Sequence, residues 1–311
     1  MSEPMPRVVD IALWVDRARR DPMAYVERQA TEIVLTAIGS LPGYGSHIYL
    51  KGGILMAVVY GSPRATADMD FTTDLAPSPE LPETLRKALD DDALPRAAAR
   101  LGYPDLALRV QTVRERPRKF GSPGTSFPAL DVKVAYARRG SGEGRLASGQ
   151  APHVIDLEVS FNEPMHAIEV IRLGVNGPSF AAYALTDLLA EKFRALLQQV
   201  TRNSHRQQRV YRRQDVYDIA HLATRFPPDE NERAAILASF RDKCRARGIT
   251  PTADSLHDPR IAERARAEWN SLRQEVGTLP DFDECFVKVV ALYSSLPWES
   301  RVHPSPTDGQ P

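Results

Sequence analysis

Apolar positions recur at helical spacing through Ile11, Leu13 and Trp14, and again through Val26, Ile33, Val34, Ala37 and Ile38, which predicts two helices over residues 8 to 39. Asp21-Pro22 opens the second, an acceptor side chain followed by a residue that needs no amide partner. The pattern then shortens. Residues 47 to 50 read as a strand, Gly52-Gly53 breaks it, residues 54 to 60 are apolar on every side like a buried helix, and residues 65 to 73 read as a second strand.

Residues 80 to 100 look helical, and residues 106 to 116, 129 to 140 and 153 to 163 alternate or run apolar with β-branched content, as successive strands do. Two stretches rich in Gly, Pro and Ser, 117 to 128 and 138 to 150, separate these strands as loops, the second read as a hairpin tip. From Tyr183 onward the period changes to that of helices, over 184 to 199, 210 to 226, 229 to 247, 260 to 275 and 281 to 295. The expected organisation is α+β: a mixed core with N-terminal helices over 1 to 180, a helical domain over 181 to 297, and a Pro-rich, polar tail over 298 to 311 that reads as disordered.

Composition narrows the partners. Forty basic and forty acidic residues cancel, so no global field draws the 311-residue chain to a polyanion, and any such site has to be local. Cys244 and Cys285 lack metal-ligand or disulfide spacing, which fits a reducing cytoplasm. The start carries no export pattern, and no apolar run approaches the roughly 20 residues of a membrane span. No nucleophile elbow, zinc-protease motif or P-loop lysine is present.

The chemistry concentrates around Asp68 and Asp70. Side chains alternate along a strand, so the two carboxylates share a face, where they repel unless something positive lies between them. Mg²⁺ takes hard oxygen ligands and is commonly held by one or two carboxylates plus substrate phosphates. A third carboxylate from a neighbouring strand is expected, with Asp156 first and Glu158 and Asp131 as rivals. A bare Asp-x-Asp is as often a solvated strand face; the upstream glycines change the balance.

Two glycine features precede the acids. Gly61-Ser62 is only five residues from Asp68, too close to hold an intervening helix, and Pro63 removes a donor. Gly52-Gly53 leaves fourteen intervening residues before Asp68 and lies between a strand and an apolar helix, where backbone amides can face a phosphate.

The stretch from Leu50 to Phe71 resembles the signature of the AbiEii/AbiGii toxin-type nucleotidyltransferases, Lys-Gly-Gly, an apolar helix, then Arg-x-Ser/Thr-x-Asp-x-Asp, through Lys51, Gly52, Gly53, Arg64, Thr66, Asp68, Asp70 and Phe71. The likeness continues in Glu191, Lys192, Ala195 and Leu196, and in Asp215, Tyr217 and Asp218 with Arg212 or Arg213 before them. Ile54 stands where the family usually has Ser or Thr, and Gln214-Asp215 where it usually has Arg-Asp.

The resemblance implies a DNA-polymerase-β-like core followed by helices, and transfer of a nucleoside monophosphate from an NTP with loss of pyrophosphate. It implies Asp68, Asp70 and Asp156 as Mg²⁺ ligands, Lys192 and Asp215 as further catalytic residues, and Lys51, Gly52, Gly53, Arg64, Arg212, Arg213 and Asp218 around the nucleotide. Members include toxins of toxin–antitoxin systems, and the MenT toxins add pyrimidine nucleotides to tRNA 3′ ends. A pyrimidine NTP, a tRNA acceptor end and a cognate antitoxin are therefore the expected partners, with no membrane role. Asp215 and Asp218, three apart on one helix face, are placed to orient Lys192 or an arginine. The acid-free segment 201 to 214 offers Arg202, Arg206 and Arg209 to an RNA backbone, and Arg114, Arg116, Arg118 and Lys119 form a second basic stretch.

Overall fold

A computed structural model describes residues 6–117, 120, 126–140, 142–201 and 211–298. Arg118, Lys119, Arg202, Arg206, Arg209 and the tail from residue 299 lie outside the described residues. The described chain divides into two compact units, the first comprising Met1–Leu188 with Asn270–Leu279 and the second Leu189–Trp269 with Pro280–Pro311.

The first unit is built on an eight-stranded mixed sheet. Its strands are β1 (Arg7–Val9), β2 (Ile48–Lys51), β3 (Met69–Thr73), β4 (Leu106–Arg116), β5 (Ala129–Arg138), β6 (Val154–Phe161), β7 (Ile168–Leu173) and β8 (Ser179–Tyr183), in the order β1-β7-β8-β2-β3-β6-β5-β4. β2 runs antiparallel to β3, β3 parallel to β6, and β6 antiparallel to β5. Met69, Phe71, Leu130, Val132, Val134, Ile155 and Phe161 are buried across these central strands. The register puts alternate residues on one face, and that face carries the polar ones.

Before the site come α1 (Ile11–Asp16) and α2 (Pro22–Gly39). Asp21 accepts from the amides of Met23 and Ala24, and Pro22 occupies the first turn, so α2 starts where the sequence sets it. Its second half, from Ala30 to Ile38, is buried and packs on β6 and β8. α3 (Gly52–Val58) follows β2 without a spacer and is buried from Gly53 to Val58, which explains why no polar face shows in its sequence. Residues 81 to 100 form α4 (Leu81–Ala88) and α5 (Leu94–Arg100), joined through a π-helical turn at Leu89–Ala93.

Three expectations are corrected. The segment 138 to 150 is not a plain hairpin loop, since α6 (Glu143–Ala147) forms in it with Leu146 buried. Strands β7 and β8 were not anticipated; in β7 the apolar Ile168 and Val170 stand on the open face, 38% and 44% exposed, which blurs the polar–apolar alternation in sequence. Residues 260 to 275 are not one helix, because α10 (Pro259–Ala267) ends at Glu268 and a 3₁₀ turn, Trp269–Leu272, precedes the short α11 (Arg273–Val276).

The second unit is helical. It contains most of α7 (Leu185–Thr201), then α8 (Arg213–Arg225), α9 (Glu230–Ala246), α10 and α12 (Phe282–Ser294). Phe193, Phe240 and Tyr293 meet edge to face with ring centroids 5.4 to 6.1 Å apart, a geometry that adds to their buried area. Asp229 and Glu232 form a reciprocal capping box at the start of α9. Among the described residues no helix is long and apolar enough to cross a membrane.

Candidate active site

The glycine turn and the carboxylates are in direct apposition. Gly52 has φ +69°, a conformation that favours glycine, and a Cβ built on it would overlap Asp70 Oδ2 and stand 2.9 Å from Asp70 Cβ and Cγ. A Cβ on Gly53 would sit 2.9 Å from Thr66 Cγ2 and Oγ1 and 3.0 Å from Arg64 Nη2. The two glycines thus let the β2–α3 backbone approach Asp70, Thr66 and Arg64 more closely than any side chain permits.

Asp70 lies within β3 and pairs across the ladder with Lys51 on one side and Glu158 on the other. Lys51 is buried, and its Nζ donates to Ser160 Oγ at 3.0 Å; Ser160 Oγ in turn donates to the Phe71 carbonyl at 3.1 Å. An ammonium next to the Asp70 position, held by a buried hydroxyl, keeps positive charge under this part of the sheet.

Asp68 lies just before β3 and remains solvent-accessible, while Met69 opposite Leu157 brings it alongside Asp156 on β6. Crowding by surrounding atoms raises its carboxyl above the usual range, the negative charge of Asp156 raises it further, and Lys133 and Arg64 oppose both. Glu158 also raises it, but less than Asp156. Asp156 is ion-paired with Lys133, whereas Asp131 and Glu158 both engage Arg116.

Whether these residues fit Mg²⁺ turns on the donors present. Among the described residues no three His, Cys, Asp or Glu side chains are gathered so that they could hold a metal ion, so Asp68, Asp70 and Asp156 do not form the expected three-ligand set. Instead Asp68 and Asp70 offer an open pair of carboxylates at the start of the central strand β3, where the negative charge of Asp156 adds to the rise of the Asp68 carboxyl. Such a pair suits a hard cation whose remaining positions go to water and phosphate. The donor set fits Mg²⁺ in that form.

Arg64 is nearly buried and its Nη1 lies 3.2 Å from Glu275 Oε2. The amide of Ala65 also donates to the Glu275 carbonyl at 2.7 Å. Glu275 comes from the segment 270 to 279 that returns to the first unit. Gly61 has φ +63° with open space around it, and Ser62 Oγ accepts from the Arg64 amide, so this pair shapes the turn after α3. Ile54 is fully buried in α3, a packing position with no hydroxyl to offer.

In the second unit, Lys192 of α7 donates to Asp218 Oδ2 at 2.7 Å and Asp215 Oδ1 at 3.3 Å, both on α8. Lys192 is 5% exposed and Asp218 0% exposed, so this is a buried ion pair and not a solvated helix face. Arg212, at the start of α8, stands 3.7 Å from Asp215. Arg213 is the first residue of that helix. Glu191, beside Lys192, is 3.4 Å from Arg194 and 3.8 Å from the buried Lys243.

The sequence profile of a family described as the nucleotidyl transferase AbiEii toxin, of a type IV toxin–antitoxin system, matches residues 33–288. The chain belongs to the AbiEii family. Among solved structures, it is similar to MenT4, a nucleotidyltransferase toxin from Mycobacterium tuberculosis H37Rv, with a TM-score of 0.54 at 18% identity, over 92% of this chain and 90% of that one. It is also similar to JHP933 from Helicobacter pylori, with a TM-score of 0.47 at 13% identity, over 88% and 91% of the two chains. No curated protein matches it by sequence.

The likeness to MenT4 is one of fold, and with the family match it establishes the nucleotidyltransferase core that the motifs imply. Within this AbiEii chain, Lys133, Ser160 and Glu275 were not singled out by the sequence as partners of the motif residues. Lys133 and Ser160 lie on predicted strands, and their alternation with buried neighbours was the available signal. Nothing local marks Glu275, which is 211 residues from Arg64.

Proposed function

We propose that this AbiEii protein transfers a nucleoside monophosphate from an NTP, with a pyrimidine NTP as donor, to the 3′ end of tRNA, and so blocks translation and growth until a cognate antitoxin restrains it. The observation that carries the reading is the packing of the Gly52 turn directly on Asp70, with Arg64 beneath Gly53. This glycine turn places backbone amides beside a carboxylate able to hold a phosphate-bound cation.

In this reading Asp68 and Asp70 hold Mg²⁺ on the nucleotide. Held by them, Mg²⁺ would supply positive charge to the α-phosphate and to the departing pyrophosphate. The amides of Gly53 and Ile54 face the terminal phosphates, and the Arg64 guanidinium, fixed by Glu275, adds a planar donor set. The acceptor hydroxyl oxygen forms a bond to the α-phosphorus as the bond to the pyrophosphate oxygen breaks. The Asp156 carboxylate takes the hydroxyl proton, and Lys133 beside it keeps that carboxylate oriented. Lys192, Asp215, Asp218, Arg212 and Arg213 enter the proposal through the family motif, as does RNA contact by Arg202, Arg206 and Arg209.

The test is incubation with Mg²⁺, each labelled NTP, and either total tRNA or whole-cell protein. Label on tRNA that is lost in Asp68→Ala and Asp70→Ala supports the proposal. Label confined to protein would replace the acceptor class.

A further inference from the structure

Three carboxylates form a row across the centre of the sheet. Asp70 of β3 lies opposite Glu158 of β6, and Glu158 lies opposite Asp131 of β5. Residues paired in register project from the same face, and neighbouring strands are about 4.8 Å apart, so Glu158 stands next to Asp70 and Asp131 about twice as far away. Like charges directly opposite one another destabilise a sheet unless a cation lies among them.

Arg116 of β4 divides this row. Its guanidinium is hydrogen-bonded to Glu158 Oε2 and lies 3.1 Å from Asp131 Oδ1. Arg116 is paired with Ala129, and Ala129 with Ser160, so the arginine reaches Glu158 from the adjacent row, across a small residue of β5. Its pull on Glu158 is therefore toward β5 and β4, away from Asp70. Lys133, opposite Asp156, holds that acid in the same way. Among the described residues no three acids are gathered to hold a metal ion, although the register puts a third one beside Asp70.

The consequence is for cation binding. Affinity for a hard divalent cation rises with the number of charged oxygen ligands, and a site of two carboxylates leaves the remaining positions to water and phosphate. Limited to Asp68 and Asp70, the site holds its cation firmly only when the phosphates of a nucleotide complete the ligand set. Glu158, turned toward Asp70, would remove that dependence.

We propose that Arg116 is a positioning residue that withholds Glu158 from the cation at Asp68 and Asp70, so that this site fills together with the phosphates of the nucleotide and not before them. Arg116 acts through Glu158 and touches neither nucleotide nor acceptor. The inference rests on the reading of Asp68 and Asp70 as cation ligands.

The test titrates the full chain with Mn²⁺, a paramagnetic stand-in for Mg²⁺, by electron paramagnetic resonance, with and without an α,β-methylene NTP analogue. Without nucleotide, Arg116→Gln is expected to bind Mn²⁺ about fivefold more tightly than the wild type, the upper range for releasing an exposed ion pair, and to gain less from the analogue. Adding Glu158→Gln should return the affinity to the wild-type level. Adding Asp131→Asn instead removes the same charge one strand farther from Asp70, and should leave the affinity raised. The side chains of Arg116, Asp131 and Glu158 are 43 to 54% exposed, so these variants are expected to fold. Equal reversal by the two double variants overturns the proposal, because net charge and not Glu158 would then account for the gain. Unchanged Mn²⁺ affinity in Arg116→Gln overturns it as well, leaving an ion pair of structure alone; if Asp70→Asn still abolishes Mn²⁺ binding with the analogue, the cation site itself stands. Wild-type Mn²⁺ binding in Asp70→Asn would remove the cation site, and the role of Arg116 with it.

Discussion

Gly52 and Asp70 occupy each other's space so fully that no side chain fits at position 52: its Cβ would overlap the Asp70 carboxylate, and its φ of +69° is one that L-residues rarely adopt. Gly52→Ala is therefore expected to displace Asp70 and to cost about 1–3 kcal/mol of stability, since both strain and overlap act there. Urea unfolding measures the second effect, and nucleotidyl transfer the first. Gly61→Ala, also at positive φ but with open space around it, should cost less and leave transfer largely intact.

Arg64 and Glu275 form an ion pair at 3.2 Å in which the arginine side chain is 9% exposed. Glu275→Gln removes the charge that fixes Arg64 while leaving a similar shape. The expected outcome is a rise in KM for the NTP with a smaller change in kcat, because a loosened guanidinium weakens phosphate binding. A double-mutant cycle with Arg64→Lys should show a coupling on the order of 1 kcal/mol. Additive effects would mean that the contact does no positioning.

Lys192 is ion-paired with the fully buried Asp218 at 2.7 Å. Lys192→Ala leaves that carboxylate without its ammonium partner and is expected to destabilise the protein by about 3–5 kcal/mol. The paired change Lys192→Met with Asp218→Asn should recover most of that stability in urea unfolding. If transfer stays absent in the stable double variant, the lysine acts in the reaction as well as in the helical unit.

Asp68 yields a pH signature. Its raised carboxyl pKa means that the folded state holds the proton more tightly than the unfolded one, whose value is about 3.9. The favourable contribution is complete below that unfolded value and is lost as pH rises through the folded one. At neutral pH the ionised group therefore costs stability, so Asp68→Asn should raise Tm at pH 7 and leave it nearly unchanged at pH 3. Mg²⁺ should raise the wild-type Tm at pH 7 by more than that of Asp68→Asn, and calorimetry with and without the ion checks both statements.

The motif region was legible because its constraints are local. Alternation placed Asp70 on the face opposite Met69 and Phe71, and the glycine pair between a strand and an all-apolar helix marked the turn that the structure builds at Gly52. The i,i+3 spacing of Asp215 and Asp218 likewise anticipated their shared approach to Lys192. What stayed hidden depends on distant pairing. Lys133 reads as one polar position on a strand until β5 is registered against Asp156, and Glu275 reads as part of a helix until the chain returns to Arg64. Strand β8, with Phe180, Ala182 and Tyr183 buried in five residues, is too short for its alternation to stand out.

The central claim is that the Asp70–Gly52 site joins a nucleotide to an RNA 3′ hydroxyl. Its most direct measurement is single-turnover incorporation of α-³²P-labelled CTP and UTP onto tRNA with an intact 3′ end, beside tRNA whose terminal ribose has been oxidised by periodate. The expected result is label on intact tRNA alone, released as a 3′-terminal nucleotide by nuclease digestion, and a loss of at least a hundredfold in Asp70→Asn. Equal labelling by Asp70→Asn, or label on the oxidised tRNA, would contradict the account.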